Sequence, residues 1–258
     1  MRKETRAAIK AAGEAGKIIM KHFKRKPSFM HKSSAVDLVT EADLEAEKKV
    51  KSILGKAFPD FGFLGEESGA EEGSNGRYWV VDPVDGTNNF AHRFPFFCVS
   101  IALVEEKKVG LGVIFDPAAK ELFVAEKGKG AFLNGNRIRV SSTSRLIDSL
   151  VVTGFPYNER KLIDKTIKSI SNLVGKTHGV RRMGSAALDL CYVASGRSDA
   201  FFEYELKPWD VAAGLIILGE AGGKLTTINN EKADLFSVNF IASNGKIHRE
   251  LFEKLVRL

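Results

Sequence analysis

The chain has little cysteine and no long apolar run. Its 258 residues include two cysteines, Cys98 and Cys191, and each lies in an apolar segment typical of a small buried side chain, not of a disulfide or a nucleophile. No hydrophobic run reaches the length that a bilayer requires, and the amphipathic pattern after Met1 contains no continuous apolar segment. These absences predict a soluble, unsecreted protein of the reducing cytoplasm without a membrane partner.

The chain also lacks a block of like charges, an internal repeat and a low-complexity tract. Its formal net charge is +7, but Lys and Arg are spread over predicted helices and turns, so we do not expect a dedicated nucleic-acid face. We expect a solvated basic surface that attracts phosphorylated small molecules. Hydrophobic content of 44% and charged content of 28% are ordinary for a folded protein. The length suffices for one large domain or two small ones.

Two helices open the predicted fold. Apolar residues at helical spacing predict a long first helix that ends near residues 24–27. A second helix is predicted over residues 41–57, and Thr40 with Asp43 resembles an N-cap and its acidic partner. A favourable charge at the helix N-terminus explains Asp43 about as well as a chemical role does.

Strands and helices follow in two different patterns. Consecutive strands joined by short turns predict an antiparallel sheet, with strands at residues 97–104, 109–116 and 121–125. A polar segment predicts a junction that divides a single domain into subdomains of about residues 1–143 and 144–258. In the second part strands alternate with helices, which predicts another sheet with helices packed on it.

The most informative stretch covers residues 79–90. A β-branched apolar run ends at Asp82, and the proline that follows removes a backbone donor, so the pattern predicts a strand, a turn and two converging carboxylates, Asp82 and Asp85. Gly86 permits close backbone approach, and the amides of Gly86 and Thr87 can bind an anion if a helix begins there. Such a pattern is typical of a cation held between carboxylates and a phosphate.

Two other acidic residues can join this pair. Glu66 follows a short apolar strand, and a hairpin-like return would place it beside Asp82. Asp210 occupies the first turn of a predicted helix, where the helix dipole alone also explains it. Four carboxylates without a cation would repel and raise one another's pKa values, so their convergence implies more than one bound metal. Oxygen ligands without His or Cys favour Mg²⁺ over zinc.

Several motifs in a fixed order resemble the inositol monophosphatase family of magnesium-dependent, lithium-sensitive phosphatases. They are Gly65-Glu66-Glu67-Ser68 and residues 79–90 and 209–214, with further likeness at residues 36–43, 92–96, 128–132 and 184–190. The likeness covers nearly the whole chain, and it is more specific than any one acidic pair. It implies an α+β fold, a layered αβαβα sandwich of the inositol monophosphatase and fructose-1,6-bisphosphatase type, in a homodimer.

The resemblance also implies a role for each site residue. The ligands of two or three Mg²⁺ ions would be Glu66, Asp82, the Val84 carbonyl, Asp85 and Asp210. The metal held by Glu66 would activate the attacking water, and Thr87 and Asp43 would align it. The substrate contacts would be made by Asp85, Gly86, Thr87, Gly184, Ser185, Ala186 and Glu203. The segment Lys32-Ser33-Ser34 matches a mobile loop that covers the site.

The implied reaction is Mg²⁺-dependent hydrolysis of a phosphomonoester of a small polyol by in-line attack of a metal-activated water, with inositol 1-phosphate as the expected substrate. Some relatives act on fructose 1,6-bisphosphate, others on both fructose 1,6-bisphosphate and inositol 1-phosphate, and others on 3′-phosphoadenosine 5′-phosphate. They share the metal motifs, so those activities remain alternatives. Some bacterial relatives associate with the transcription machinery, which makes RNA or protein binding a non-enzymatic alternative. Glu203 is the least specific assignment, because Glu205 stands where relatives often carry a small residue.

Overall fold

The computed structural model describes residues 1–25, 29–31, 38–156 and 159–256. The expected mobile loop at Lys32-Ser33-Ser34 therefore lies outside the described residues. Within these ranges no helix combines the length and the apolar composition that crossing a membrane requires.

The first two helices lie close to their predicted positions, and the later helices follow the predicted alternation with strands in the second part of the chain. The helices of the described residues are α1 (Lys3–Phe23), α2 (Glu41–Ala57), α3 (Thr87–Ala91), α4 (Arg160–Leu173), α5 (Ala186–Ala194), α6 (Pro208–Glu220) and α7 (His248–Lys254), with a 3₁₀ turn at Leu146–Asp148. The predicted N-cap of α2 is confirmed, because Thr40 accepts a hydrogen bond from the Ala42 N–H while the Asp43 carboxylate accepts one from the Thr40 N–H.

The strands form one large sheet, one smaller sheet and a separate pair. In chain order they are β1 (Phe29–His31), β2 (Leu38–Thr40), β3 (Gly62–Gly65), β4 (Gly69–Glu71), β5 (Tyr78–Asp85), β6 (Cys98–Glu105), β7 (Lys108–Asp116), β8 (Glu121–Glu126), β9 (Gly130–Leu133), β10 (Asn136–Ile138), β11 (Leu150–Thr153), β12 (Gly179–Arg181), β13 (Ala200–Glu203), β14 (Lys224–Thr227) and β15 (Phe240–Ser243). The large sheet has the order β10-β9-β8-β7-β6-β5-β3-β4, the small one the order β12-β11-β13-β15-β14, and β1 pairs with β2. The predicted antiparallel run of β6, β7 and β8 is confirmed, and antiparallel pairing continues beyond it to β5 on one side and to β9 and β10 on the other.

Two helices cover the outer face of the large sheet. Ala8, Ala12 and Ala15 of α1 and Val50 and Leu54 of α2 are fully buried there. Their partners are the side chains that point to this face of the central strands, which are Trp79, Val81, Ile101, Leu103 and Val113. The alternation along each strand leaves the next residues for the opposite face.

The opposite face of the large sheet packs on α5 and α6, which separate it from the small sheet. Val80 and Ala102 belong to the same buried cluster as Leu190 of α5 and Ile217 of α6, together with Phe201 of β13. The far face of the small sheet packs on α4 and α7, in a third cluster that includes Phe202, Leu162 and Leu251. The layers therefore alternate helix, sheet, helix, sheet, helix, which confirms the predicted αβαβα sandwich.

Two local predictions are wrong. The strand before Glu66 does not return to Asp82 as a hairpin: β3 makes its hairpin with β4, and β5 then runs parallel to β3. The chain also does not turn just after Asp82, because β5 continues to Asp85 across an irregularity in its pairing with β6. Pro83 lies within this irregularity, where its missing N–H costs no ladder hydrogen bond.

Candidate active site

The end of β5 carries the first two acids into the interior. Asp82 is 2% exposed, and its Oδ1 accepts a hydrogen bond from the Val84 N–H at 3.0 Å. The pairing partner changes from Ser100 at Asp82 to Cys98 at Asp85, so the intervening residues bulge. The bulge brings two carboxylates to the same end of one strand, on the side where α5 and α6 begin.

Glu66 reaches the same place through the parallel pairing of β3 and β5. Gly65 is in register with Val81, and the Glu66 N–H donates to the Val81 carbonyl at 3.2 Å. Glu66 is therefore the lateral neighbour of Asp82, and its charge contributes to the raised pKa of Asp82. The sequence prediction that these two acids lie together is confirmed, although the strand direction that produces it is different.

Asp210 arrives from the first turn of α6. Its Oδ2 accepts a hydrogen bond from the Lys207 N–H at 2.7 Å, an N-terminal interaction that orients the carboxylate. Burial, with the nearby charge of Asp85, raises the pKa of Asp210 well above its usual range. The Asp210 carboxylate therefore stabilises the N-terminus of α6 and also lies close to the acids of β5.

The N-terminus of α5 holds Asp85. The Ser185 hydroxyl and the Ala187 N–H both donate to Asp85 Oδ2 at 2.6 Å, and the Ser185 oxygen also accepts from the Leu188 N–H at 3.3 Å. Ser185 is thus the N-cap of α5 and a positioning group for Asp85. The Ala186 N–H also hydrogen-bonds Asp85, so three groups at the start of α5 position this carboxylate.

A hydrogen-bonded network joins α2 to the start of α3. The Thr87 hydroxyl lies 3.0 Å from Asp43 Oδ1 and 2.9 Å from the Val84 carbonyl oxygen. One hydroxyl proton serves these two acceptors, while the Thr40 hydroxyl and N–H bind the other Asp43 oxygen. Burial, partly offset by these hydrogen bonds, raises the pKa of Asp43 to about 6.

The four acids around β5 repel one another at close quarters. Burial, then the charges of Glu66, Asp85 and Asp210, raise the pKa of Asp82 well above its usual range. Burial raises the pKa of Asp85 to about 6. Buried, mutually repelling carboxylate oxygens without His or Cys are a donor set that suits a hard divalent cation. Among the described residues, no group of three or more His, Cys, Asp or Glu side chains is already arranged around one point so that it could hold a metal ion.

A cavity of about 400 Å³ opens beside these acids. Its lining includes Glu66, Asp85 and Asp210, the backbone of Gly86 and Thr87, and residues 184–186 before and at the start of α5. Glu203 lies at the far side, at the end of β13, with Arg182 nearby. Burial, together with the charge of Asp85, raises the pKa of Glu203 to about 8. The cavity lining thus combines acidic side chains with the basic side chains of Arg182 and Lys207.

The glycines at this cavity are required by close contacts. Gly86 has φ of 100°, and a Cβ there would lie 2.9 Å from the Phe96 carbonyl and 3.2 Å from the Gly184 carbonyl. A Cβ at Gly154 would collide with the Glu203 carboxylate. The Glu205 backbone also has a left-handed φ of 65°, a conformation that favours glycine.

Sequence reasoning missed Asn89. Its Nδ2 donates to the Phe96 and Met183 carbonyls at 2.7 and 2.8 Å, so this amide joins the segment after β5 to the segment before α5. It also missed the cavity-lining Gly154 and Arg182. An isolated Asn, Gly or Arg carries no local signal of this kind, because the partners are distant in the chain.

Known proteins are similar to this chain in sequence and in fold. The sequence model of the Inositol monophosphatase family matches residues 1–258. The chain is 43% identical over 244 residues to the fructose-1,6-bisphosphatase/inositol-1-monophosphatase of Thermotoga maritima, covering 95% of this chain and 92% of that protein. It is 40% identical over 250 residues to the Nus factor SuhB of Pasteurella multocida, covering 96% and 94%.

A solved structure gives the same result at the level of the fold. The extragenic suppressor protein suhB from Bartonella henselae superposes with a TM-score of 0.92 at 41% identity, covering 96% of each chain. The chain belongs to the inositol monophosphatase family, which is a family of phosphoric monoester hydrolases.

Proposed function

We propose that the protein hydrolyses a phosphomonoester of a small polyol in a Mg²⁺-dependent reaction, with inositol 1-phosphate as the substrate. The observation that supports this best is the convergence of acids from three separate chain segments, Glu66, the Asp82 and Asp85 pair, and Asp210, beside one cavity. Relatives named inositol-1-monophosphatase give the substrate class.

The carboxylates of Glu66, Asp82, Asp85 and Asp210, with the Val84 carbonyl, would hold two or three Mg²⁺ ions. When bound, Mg²⁺ supplies a water of lowered pKa and stabilises charge on the phosphate and the leaving oxygen. The side chains of Asp85 and Asp210 are already oriented through the N-termini of α5 and α6. Little reorganisation is therefore needed for these two ligands.

Thr87 and Asp43 would align the attacking water. The Thr87 hydroxyl is shared between the Val84 carbonyl and Asp43, so a water that donates to Thr87 passes a proton toward a buried carboxylate. The raised pKa of Asp43, about 6, makes this carboxylate a better base than an exposed aspartate while it remains ionised near neutral pH.

The other end of the cavity would bind the polyol. Backbone amides at Gly86 and Thr87 would contact the phosphate, and residues 184–186 with Glu203 would contact the sugar hydroxyls. Because the pKa of Glu203 is about 8, this group donates a hydrogen bond through one oxygen and accepts through the other near neutral pH. A polyol, whose hydroxyls both donate and accept, matches such a group.

A side-by-side substrate panel tests the proposal. Phosphate release from inositol 1-phosphate, fructose 1,6-bisphosphate and 3′-phosphoadenosine 5′-phosphate is measured at the same Mg²⁺ concentration, as kcat/KM. We expect inositol 1-phosphate to exceed the nucleotide by at least about tenfold. A dominant rate on the nucleotide would overturn the substrate, and no turnover of any of the three would overturn the function. The homodimer expected from the resemblance is checked in the same preparation by light scattering.

A second candidate function is binding to RNA, and a basic groove favours it. The outer faces of α1 and α2 form two adjoining concavities, which we call the α1–α2 lysine groove. Its charged residues are two acids, Glu14 and Glu45, and six lysines, Lys10, Lys17, Lys21, Lys48, Lys49 and Lys56. Ion pairs occupy Lys17, through Glu14, and Glu45, through His22. The remaining lysines are exposed to solvent, which suits a phosphodiester backbone. Several relatives named Nus factor SuhB give this role its context.

Charge reversal in this α1–α2 lysine groove tests the role. We expect Lys21→Glu with Lys48→Glu to weaken binding of a short single-stranded RNA and to reduce the dependence of affinity on salt concentration. Asp85→Asn serves as the control that removes catalysis and leaves RNA binding. No measurable association of the unmodified protein at moderate salt would remove this candidate.

A further inference from the structure

Glu47 is a buried acid outside the proposed ligand set. It lies on α2, is 3% exposed, and forms no ion pair with a described residue. Its two oxygens accept hydrogen bonds from consecutive backbone N–H groups, Oε2 from Glu67 at 2.9 Å and Oε1 from Ser68 at 2.7 Å. A buried carboxylate is costly, so these two charge-assisted hydrogen bonds account for its retention in the fold.

The two bonded amides belong to the tight turn between β3 and β4, directly after Glu66. On one side the Glu66 N–H is bonded to the Val81 carbonyl of β5, at 3.2 Å. On the other side the next two N–H groups are bonded to Glu47. The backbone around Glu66 is therefore fixed between the sheet and α2.

Close packing at Gly65 shows how tightly Glu47 sits against this turn. A Cβ at Gly65 would come within 2.5 Å of Glu47 Oε2. The carboxylate therefore occupies the space that a side chain at Gly65 would take, and it packs directly against the turn. A position with so little freedom sets the direction in which the Glu66 side chain leaves the backbone.

We propose that Glu47 is a positioning residue for Glu66, acting through the amides of Glu67 and Ser68 to hold the Glu66 carboxylate beside Asp82. This inference rests on the proposed function, in which Glu66 is a metal ligand. Supporting groups that orient a ligand typically contribute 10- to 100-fold in metal affinity. Gln at this position keeps the size but has one acceptor oxygen, so its amide N–H₂ faces a backbone N–H and one hydrogen bond is lost.

The test compares Mg²⁺ binding with folding in Glu47→Gln. Titration calorimetry of chelator-treated protein measures the Mg²⁺ dissociation constant, and thermal unfolding in chelator measures stability without metal. We expect the variant to bind Mg²⁺ about 10- to 100-fold more weakly, and its phosphatase activity to recover partly at high Mg²⁺. The matched control is Glu72→Gln, which changes an exposed acid directly after β4 of the same hairpin, and we expect its Mg²⁺ affinity to stay within about twofold.

A purely structural role predicts a different pattern. If Glu47→Gln unfolds at lower temperature but binds Mg²⁺ as the unmodified protein does, Glu47 only supports the hairpin and the inference is overturned. Glu47→Asp keeps two acceptor oxygens on a shorter side chain, so it carries the test if the Gln variant does not fold, and we expect an intermediate Mg²⁺ affinity. If the unmodified protein itself binds no Mg²⁺, the proposed function fails as well, and the two failures are thereby distinguished.

Discussion

Replacement of Asp85 by Asn should have opposite effects on stability and on activity. Asp85 is buried, and its Oδ2 accepts hydrogen bonds from the Ser185 hydroxyl and the Ala187 N–H, both at 2.6 Å. An Asn oxygen can accept the same two hydrogen bonds, so the helix start is kept. The substitution therefore removes a negative charge with little change in shape.

The magnitude follows from the pKa of Asp85. Burial raises it to about 6, against about 3.9 for an unfolded aspartate. A pKa raised in the folded state means that the ionised group destabilises the fold at every pH above the unfolded pKa, and at pH 7 the cost is complete. Two units correspond to about 3 kcal/mol, so in chelator Asp85→Asn should be more stable by up to about 3 kcal/mol, a rise in Tm of roughly 5–10 °C.

The assay is thermal unfolding with chelator and with Mg²⁺, alongside phosphate release. We expect Asp85→Asn to unfold at higher temperature in chelator, to lose the Mg²⁺-dependent rise in Tm, and to release no measurable phosphate. Asp116→Asn is the matched control: Asp116 is 2% exposed and its Oδ1 accepts two backbone N–H groups at 2.8 Å, but it does not line the cavity. A lower Tm of Asp85→Asn in chelator would refute the argument that the buried charge of Asp85 destabilises the fold, and retained activity would refute the proposed site.

Three other perturbations test the geometry. Asn89→Ala leaves the Phe96 and Met183 carbonyls without their amide partner, so urea unfolding should show a loss of about 2 kcal/mol; an unchanged midpoint would contradict the bridging role. Gly86→Ala places a Cβ at φ of 100° and against a carbonyl, so we expect a loss of at least about 2 kcal/mol and reduced kcat, whereas a wild-type midpoint would show that the close contact relaxes freely. Burial lowers the pKa of His248 to about 4, so the unfolded chain binds the proton first, and the contribution of His248 to stability should be full above about pH 6.5 and fall by about 2–3 kcal/mol as the pH drops toward 4, opposite in direction to the contribution of the buried acids. His248→Gln should flatten this pH dependence of the urea midpoint; an unchanged slope would assign it to other groups.

Elements with strong local signals were predictable from the sequence. The second helix begins at Glu41 and ends at Ala57 as predicted, because the capping pair at Thr40 and Asp43 is a local interaction. The antiparallel run from β6 to β8 was also predictable, since short turns leave neighbouring strands few other partners.

Strand direction was not predictable where a short strand intervenes. The segment between Glu66 and Asp82 contains β4, three exposed residues without an apolar pattern, so the sequence offered no reason to place a strand there. With β4 inserted, β5 runs parallel to β3 and Glu66 still lies beside Asp82. The parallel pairing places the carboxyl ends of β3 and β5 at the same end of the sheet, so Glu66 lies beside Asp82, whereas a hairpin would have placed Asp82 opposite the start of β3. The predicted neighbour was therefore right, but the predicted strand direction would not have produced it.

By itself the sequence determined the residue types of the site, through the order of acidic motifs that resembles one family, and the position of most helices and strands. Tertiary structure alone decided the interactions between distant segments, such as Asp85 with Ser185, Asn89 with Met183, and Glu47 with the turn after Glu66. It also decided which acids are buried together, and thereby which pKa values rise. Both depend on distances between residues far apart in the chain, which no local pattern of amino acids encodes.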